Sequence, residues 1–273
     1  MAGAAQSILR FENVTVAFDD VVALSNVSFE AFQGESRVIL GAAGSGKTVL
    51  LKTALGLVKP QSGRVFVFGR DVTVLKERQW SEIRSHMGML FQESALFDSL
   101  SVEENVAYPL LNQKAIQCPP DQVHTKVAEA LQFVELGETL EKFPSELSGG
   151  MRRRAAIARA VVTNPPLILY DSPTAGLDPI TSYTIIQLVI KARDVARTTT
   201  LMVTHRYQDG NLIANFRYNS EQGRLEPARN GAQREFRTIF MVLQEGRLIF
   251  EGDQDQLEAS SDPYVCKFVK PRV

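Results

Sequence analysis

Ser36-Arg37-Val38-Ile39-Leu40-Gly41-Ala42-Ala43-Gly44-Ser45-Gly46-Lys47-Thr48 decides the fold of this chain. Ser36 to Leu40 is short and apolar and predicts a buried strand. Gly41 to Thr48 fits G-x-x-x-x-G-K-T, and Val49 to Leu57 then has helical spacing. A strand, a glycine-rich turn and a helix in that order open a parallel α/β sheet. Gly41, Gly44 and Gly46 let the backbone curl until successive N–H groups, that of Ser45 among them, point at one anion. The helix adds the positive end of its dipole. Lys47 can then reach the β- and γ-phosphates of a nucleotide, and the Thr48 hydroxyl can ligate Mg²⁺. Alone, this motif implies P-loop nucleotide binding and nothing narrower.

Two further stretches bear on the same chemistry. Leu167-Ile168-Leu169-Tyr170 reads as a buried strand and ends in Asp171, a carboxylate able to hold Mg²⁺ through its water. The residue after it is Ser172, whose hydroxyl cannot accept a proton at neutral pH. Leu147-Ser148-Gly149-Gly150-Met151-Arg152 opens a helix. Its unhindered N–H groups, one hydroxyl and a helix dipole make a second anion cradle. Two cradles in one chain suggest a dimer, each closing on the nucleotide held by the other protomer.

These motifs, in this order, resemble those of the ATP-binding-cassette (ABC) ATPases, and the resemblance runs from about Ile8 to Gly252. It adds Gln92 in Leu90-Phe91-Gln92-Glu93-Ser94, Ala175-Gly176-Leu177-Asp178, and His205 in Val203-Thr204-His205. The fold it implies is α/β: a P-loop NTPase with a mixed β core, an N-terminal antiparallel β subdomain and an α-helical signature subdomain. The ATPase domain would span 1–252, with the helical subdomain at about 93–160 and a polar insertion at about 206–233. A tail would follow at 253–273.

The resemblance also implies roles. Phe18 would stack on adenine. Gly41, Gly44, Ser45, Gly46, Lys47 and Thr48 would hold the phosphates, and Ser148, Gly149, Gly150 and Asp178 would act across a dimer. Thr48, Gln92 and Asp171 would serve Mg²⁺. Gln92, Asp171 and His205 would serve the chemistry, with Ser172 where the family usually carries a catalytic glutamate. The implied cofactors are ATP and Mg²⁺. The implied partners are a second ABC ATPase, identical or not, and an integral membrane permease, with no nucleic acid. That places the chain in the cytoplasm, peripheral on the inner face of the plasma membrane. Met151, Arg152-Arg153-Arg154-Ala155-Ala156 and Asp178-Pro179-Ile180-Thr181 resemble the ATPases of the maintenance-of-lipid-asymmetry (Mla) and mammalian-cell-entry (Mce) phospholipid transport systems. In such systems a small regulatory protein and the tail can contact the ATPase.

Loss of a positioned carboxylate at Ser172 predicts tight Mg-ATP binding with slow turnover, since a general base typically supplies about 10²–10⁴ in rate. Three origins stay open: a natural slow ATPase, a degenerate half of an asymmetric dimer, or an engineered trap. Ala95-Leu96-Phe97-Asp98-Ser99-Leu100 is either a permease-docking surface or core packing. The stretch from Arg206 to Gln233 is either an added binding element or a polar surface loop.

The rest of the chain frames these motifs. Ile8 to Phe18, Val21 to Glu30, Arg64 to Phe68, Met87 to Phe91 and Thr199 to Val203 read as strands. Thr238 to Leu243 and Arg247 to Phe250 read as a hairpin around Gln244-Glu245-Gly246. Helical pattern covers Val102 to Val134, broken at Cys118-Pro119-Pro120, with Asp121 a cap for the second piece. It returns over Met151 to Val162, Thr181 to Ala196 and Gln254 to Ala259. The 273 residues carry a net charge of −1, which argues against nucleic acid as a partner. No run is long and apolar enough to span a bilayer, and no basic region precedes an apolar stretch at Met1. Cys118 and Cys266 read as plain thiols. A small-molecule P-loop kinase would account for Lys47 but not for Ser148-Gly149-Gly150 or His205.

Overall fold

The computed structural model describes residues 6–228 and 237–269. Its elements, in chain order, are β1 (Ser7–Phe18), β2 (Val21–Phe32), β3 (Ser36–Leu40), α1 (Lys47–Ala54), β4 (Ser62–Val67), β5 (Arg70–Asp71), α2 (Glu77–Arg84) and β6 (Met87–Leu90). Next come α3 (Val102–Asn112), α4 (Pro120–Phe133), α5 (Gly149–Val161), β7 (Leu167–Asp171), α6 (Pro179–Ala196), β8 (Thr199–Thr204) and α7 (Tyr207–Asn215). The chain continues with β9 (Phe216–Asn219), β10 (Arg224–Pro227), β11 (Thr238–Gln244), β12 (Arg247–Gly252), α8 (Gln254–Glu258) and α9 (Pro263–Val269).

Every residue of β3, β7 and β8 is buried, as expected of strands covered on both faces. They form the middle of a six-stranded sheet of order β12-β11-β3-β8-β7-β6. All its pairings are parallel except that of the edge strand β12 with β11. Side chains alternate across these strands and so divide between two cores. Val38, Leu40, Ile168, Tyr170, Met202, Phe240 and Val242 face one; Ile39, Leu169, Leu201, Val203 and Met241 face the other. The first core is closed by α3 to α9. The second is closed by α1, α2 and a separate antiparallel sheet of order β2-β1-β4-β5. The expected mixed core, antiparallel subdomain and helical subdomain are all present.

Local chemistry sets the element ends. Ser101 caps α3, accepting from the Glu104 N–H at 3.2 Å while the Glu104 carboxylate accepts the Ser101 N–H at 2.7 Å. Glu245 and Gly246, at φ 48° and 75°, make the tight turn between β11 and β12. Gly246 is needed there because a Cβ would stand 2.7 Å from the Ala23 carbonyl.

Three expectations change. Asp121 does not cap α4, which begins at Pro120 with Pro119 as its N-cap residue; the ring pre-sets φ for the first turn. The stretch after Arg206 is structured: it forms α7 and the two-stranded β9–β10 hairpin, and the part of it at 229–236 lies outside the described residues. The polar sequence hid α7 because Gly210 stands where a larger residue would mark the buried face. A Cβ there would meet the Phe240 ring at 2.5 Å. The sequence also gave no sign of α2, which buries only Trp80 and Ile83, or of α9.

Candidate functional site

The turn from Gly41 to Thr48 leaves β3 and enters α1. Gly44 and Gly46 have φ of 76° and 101°, a region that side chains disfavour. A Cβ on Gly46 would lie 2.4 Å from the Ala23 carbonyl oxygen, and one on Gly41 would lie 2.6 Å from that of Leu243. The loop is therefore fixed by its neighbours as well as by its own glycines. Gly246 of the β11–β12 turn braces it from behind: its N–H donates to the Ser45 carbonyl at 3.1 Å, and its carbonyl accepts from the Ser25 N–H at 2.8 Å. No side chain caps α1 and its first turn holds no acid, so the opening N–H groups stay available to an anion. The Lys47 ammonium lies in the loop, donating to the Gly41 and Ala42 carbonyls at 2.8 and 2.7 Å. Burial lowers its pKa, and the charge of Asp171 opposes that shift. A buried cation in an uncapped cradle fits a polyphosphate.

The cleft over this loop measures about 1260 Å³, and its walls include Val22, Lys47, Thr48, Gln92, Ser172 and His205. Of the residues singled out in the sequence, Gly44 to Thr48, Gln92, Ser172 and His205 line this one cleft. Asp171 ends β7 and is 3% exposed. Ser172 follows at φ 48°, and its hydroxyl donates to Asp171 Oδ1 at 3.2 Å. Thr48 offers a hydroxyl and Asp171 a carboxylate, oxygen donors of the kind that would suit Mg²⁺. No cluster of three or more His, Cys, Asp or Glu ligands occurs among the described residues.

Phe18, Ser148, Gly149, Gly150 and Asp178 do not line this cleft. Phe18 is exposed at the end of β1. Ser148 and Gly149 are exposed at the start of α5, where the Ser148 hydroxyl accepts the Met151 N–H at 3.2 Å. Gly150 abuts α6, since a Cβ on it would meet Thr181 Cγ2 at 2.6 Å. Asp178 caps α6, its carboxylate accepting the N–H groups of Ile180 and Thr181, both at 3.0 Å. The Thr181 hydroxyl bond, with those amides, lowers its pKa.

The ABC transporter family model matches residues 24–175. The chain belongs to the ABC transporter ATP-binding family. This ABC ATPase is similar over nearly its whole length to the intermembrane phospholipid transport system ATP-binding protein MlaF of Haemophilus influenzae. The two are 32% identical over 97% of this chain and 91% of that one. It is also 33% identical to the probable ribonucleotide transport ATP-binding protein mkl of Mycobacterium leprae, over 97% of this chain and 69% of that one. Among solved structures, the ATP-binding cassette MJ0796, dimeric and bound to ADP and Pi after hydrolysis, superposes with a TM-score of 0.73. That match has 29% identity over 90% of this chain and 98% of that one.

In this ABC ATPase, residues to which the sequence assigned no site role hold the segments around the cleft. Arg153 of α5 is 6% exposed and donates to the carbonyls of Phe91, at 3.2 Å, Gln92, and Ala175, at 3.3 Å. Arg159 donates to the Ser94 and Ala95 carbonyls at 2.9 and 2.8 Å. The helix that begins with the second anion cradle therefore grips the main chain of the Gln92 loop. Asn105, fully buried, holds the next segment, donating to the carbonyls of Phe97, Leu100 and Ser101 and accepting the Phe97 N–H at 2.8 Å. From the far end of the chain, the Tyr264 hydroxyl of α9 accepts the Ala42 N–H at 3.2 Å, and Lys267 joins the wall of the cleft. Main-chain acceptors leave no mark in a sequence, which is why these arginines could not be assigned to the Gln92 loop from sequence.

Proposed function

We propose that this chain is the energising subunit of an ABC transporter for lipid. It would bind Mg-ATP in the cleft above Lys47, pair with a second cassette, and drive a separate membrane permease. The observation that carries the pairing is the split of the phosphate-binding groups. Lys47, Gln92, Ser172 and His205 share one cleft, while Ser148 and Gly149 stand exposed on another face. Only a second copy, or a related cassette, can bring the latter to the former. The phospholipid reading is supported by the similarity to MlaF along the whole chain.

The permease would dock on a groove of about 320 Å³ lined by Leu57, Met89, Phe97, Tyr108 and Arg159. Phe97 is 41% exposed and rests on Tyr108, ring centres 4.7 Å apart, so it presents an aromatic edge outward. Leu96 is half-buried against the core. Attachment through this groove would hold the chain peripherally at the cytoplasmic face of the permease; no helix among the described residues is long and apolar enough to cross a membrane. Phe97→Asp is expected to release a co-purifying permease while leaving ATP binding intact; loss of both together would refute the groove's role.

The chemistry follows from the same cleft. Mg²⁺, held by Thr48 and Gln92 and through water by Asp171, would neutralise charge on the β- and γ-phosphates. Lys47 and the loop amides hold those phosphates. Gln92 and His205 orient water on the far side of the γ-phosphorus. Its attack breaks the bond to the β–γ bridging oxygen, releasing ADP and phosphate. No carboxylate follows Asp171, so hydrolysis is expected to be slow while binding stays tight. Single-turnover and steady-state hydrolysis by wild type, Ser172→Glu and Lys47→Ala tests this. Ser172→Glu should raise kcat by about 10²–10⁴, and Lys47→Ala should abolish binding. A fast wild type that Ser172→Glu does not improve would overturn it. Ser172 also favours a second reading, an ATP-gated subunit that binds but barely hydrolyses. Wild-type protein that stays silent in vesicles with its permease, yet responds to ATP binding, would select that one.

A further inference from the structure

The first turn of α7 carries a carboxylate that the reaction above does not use. Asp209 is 2% exposed. Its Oδ2 accepts two hydroxyl hydrogen bonds, from Thr174 at 2.7 Å and from Thr204 at 2.9 Å. Thr174 lies two residues past Ser172 in the turn leaving β7. Thr204 ends β8 and immediately precedes His205. Oδ1 of the same carboxylate faces the Arg206 Nε at 3.7 Å. The Arg206 N–H in turn donates to Thr204 Oγ1 at 3.1 Å, and its guanidinium donates to Ser182 Oγ of α6 at 2.9 Å. One buried group thus joins the turn after Asp171, the start of α6 and the turn that bears His205. A carboxylate removed from water is costly, and nothing in the packing of α7 calls for one. His205 itself is exposed on the cleft wall, so its aim depends on the backbone just behind it.

We propose that Asp209 is the positioning residue for His205: by accepting from Thr174 and Thr204 it fixes the turn that follows Asp171 to the turn that carries the histidine. The proposal rests on the reading of His205 as a group that orients the reacting water. It also gives the missing carboxylate at position 172 a structural counterpart, because orientation must then come from groups held as firmly as these.

The test is a double-mutant cycle on single-turnover hydrolysis with Asp209→Ala, His205→Ala and the pair, run in wild type and again in Ser172→Glu so that a slow parent does not mask the effect. Asp209→Ala is expected to lower the rate between about tenfold and a hundredfold, with binding of a non-hydrolysable ATP analogue changed by less than about threefold. Asp209→Asn, which keeps one acceptor, should recover part of the loss. The double variant should be no slower than His205→Ala alone. Losses that multiply would overturn the proposal, as would an Asp209→Ala protein that folds and hydrolyses at the parent rate. A His205→Ala protein at the parent rate would instead sink the reading of the histidine on which the proposal stands. A second measurement needs no turnover. The chain has only three histidines, His86, His124 and His205, so the imidazole resonances can be assigned by substitution. The His205 signal should move or broaden in Asp209→Asn with analogue bound, while those of His86 and His124 stay put. An unchanged His205 signal would count against the proposal whatever the stability of the variant.

Discussion

At the scale of single residues, the cleft is governed by groups that the fold holds against their own preference. Gly46 occupies a conformation closed to other residues, Ser172 sits at a positive φ, and Lys47 and Asp209 carry charge out of water. Such positions concentrate where a site is pre-arranged for a ligand. Asp209 allows a test of sign. Burial raises its carboxyl above the ordinary 3.8, against the bonds from Thr174 and Thr204 and the charges of Arg206 and His205. The folded state therefore holds that proton more tightly than the unfolded chain does. The stability linked to it is present below about pH 4 and is lost as pH rises through the raised value. Asp209→Asn stays neutral throughout, so its melting temperature relative to wild type should climb as the pH rises from the ordinary carboxylate value of 3.8 through the raised one. Melts showing a relative fall over that range would contradict the electrostatic account. With the slower hydrolysis expected above, the variant would trade activity for stability.

At the scale of elements, α5 does two jobs with its two faces. Its exposed start offers Ser148 and Gly149, and one turn further on Arg153 reaches back to the loop that carries Gln92. A charged donor to a main-chain acceptor is worth about 1.5–3 kcal/mol, and Arg153 makes three such bonds. Arg153→Ala is expected to leave analogue binding within about threefold and to reduce hydrolysis at least tenfold, because Gln92 loses its support. Steady-state kinetics beside calorimetric titration will separate the two effects; a change in affinity alone would mean that the arginine supports the nucleotide and not the glutamine. Elements were legible where burial dictated periodicity. The apolar strands β3, β7 and β8 and the helix α6 could be placed from sequence because the side chains that define them are buried. The helices α2, α7 and α9 could not, since each is short, α2 and α7 are mostly polar, and the seven residues of α9 are too few to show a helical period. The P-loop and Asp171 were legible because phosphate chemistry demands particular residue types at particular spacings, whereas Gln92 and His205 were picked out only by the resemblance to the ABC ATPases. Arg153, Asn105 and Asp209 were not, because each acts through main chain or through hydroxyls that many residues could offer.

At the scale of the whole molecule, one mostly parallel sheet separates two cores. Tyr170 carries a polar atom into one of them. It is fully buried in β7, and its hydroxyl has no hydrogen-bond partner among the described residues. Burial also raises its pKa strongly. Removing an unpaired hydroxyl relieves a desolvation cost of about 1–3 kcal/mol, so Tyr170→Phe should raise the melting temperature and the denaturant midpoint. Unfolding curves that shift downward would reveal a partner for the hydroxyl. The strand order of the sheet has a further consequence, in time. β3, which leads into the phosphate loop, is flanked by β8 and β11, and neither is its neighbour in sequence. Leu40 pairs with Thr204 and Val242. At a synthesis rate of about 5–20 residues per second, β3 leaves the ribosome roughly ten to thirty seconds before its first partner. Throughout that interval a strand that is buried along its whole length in the finished fold, and the loop that follows it, have no sheet to join. The nucleotide site is thus among the first parts of the chain to be made and among the last to be finished, and a nascent chain is most open to chaperones and to aggregation at the very segment that will bind phosphate.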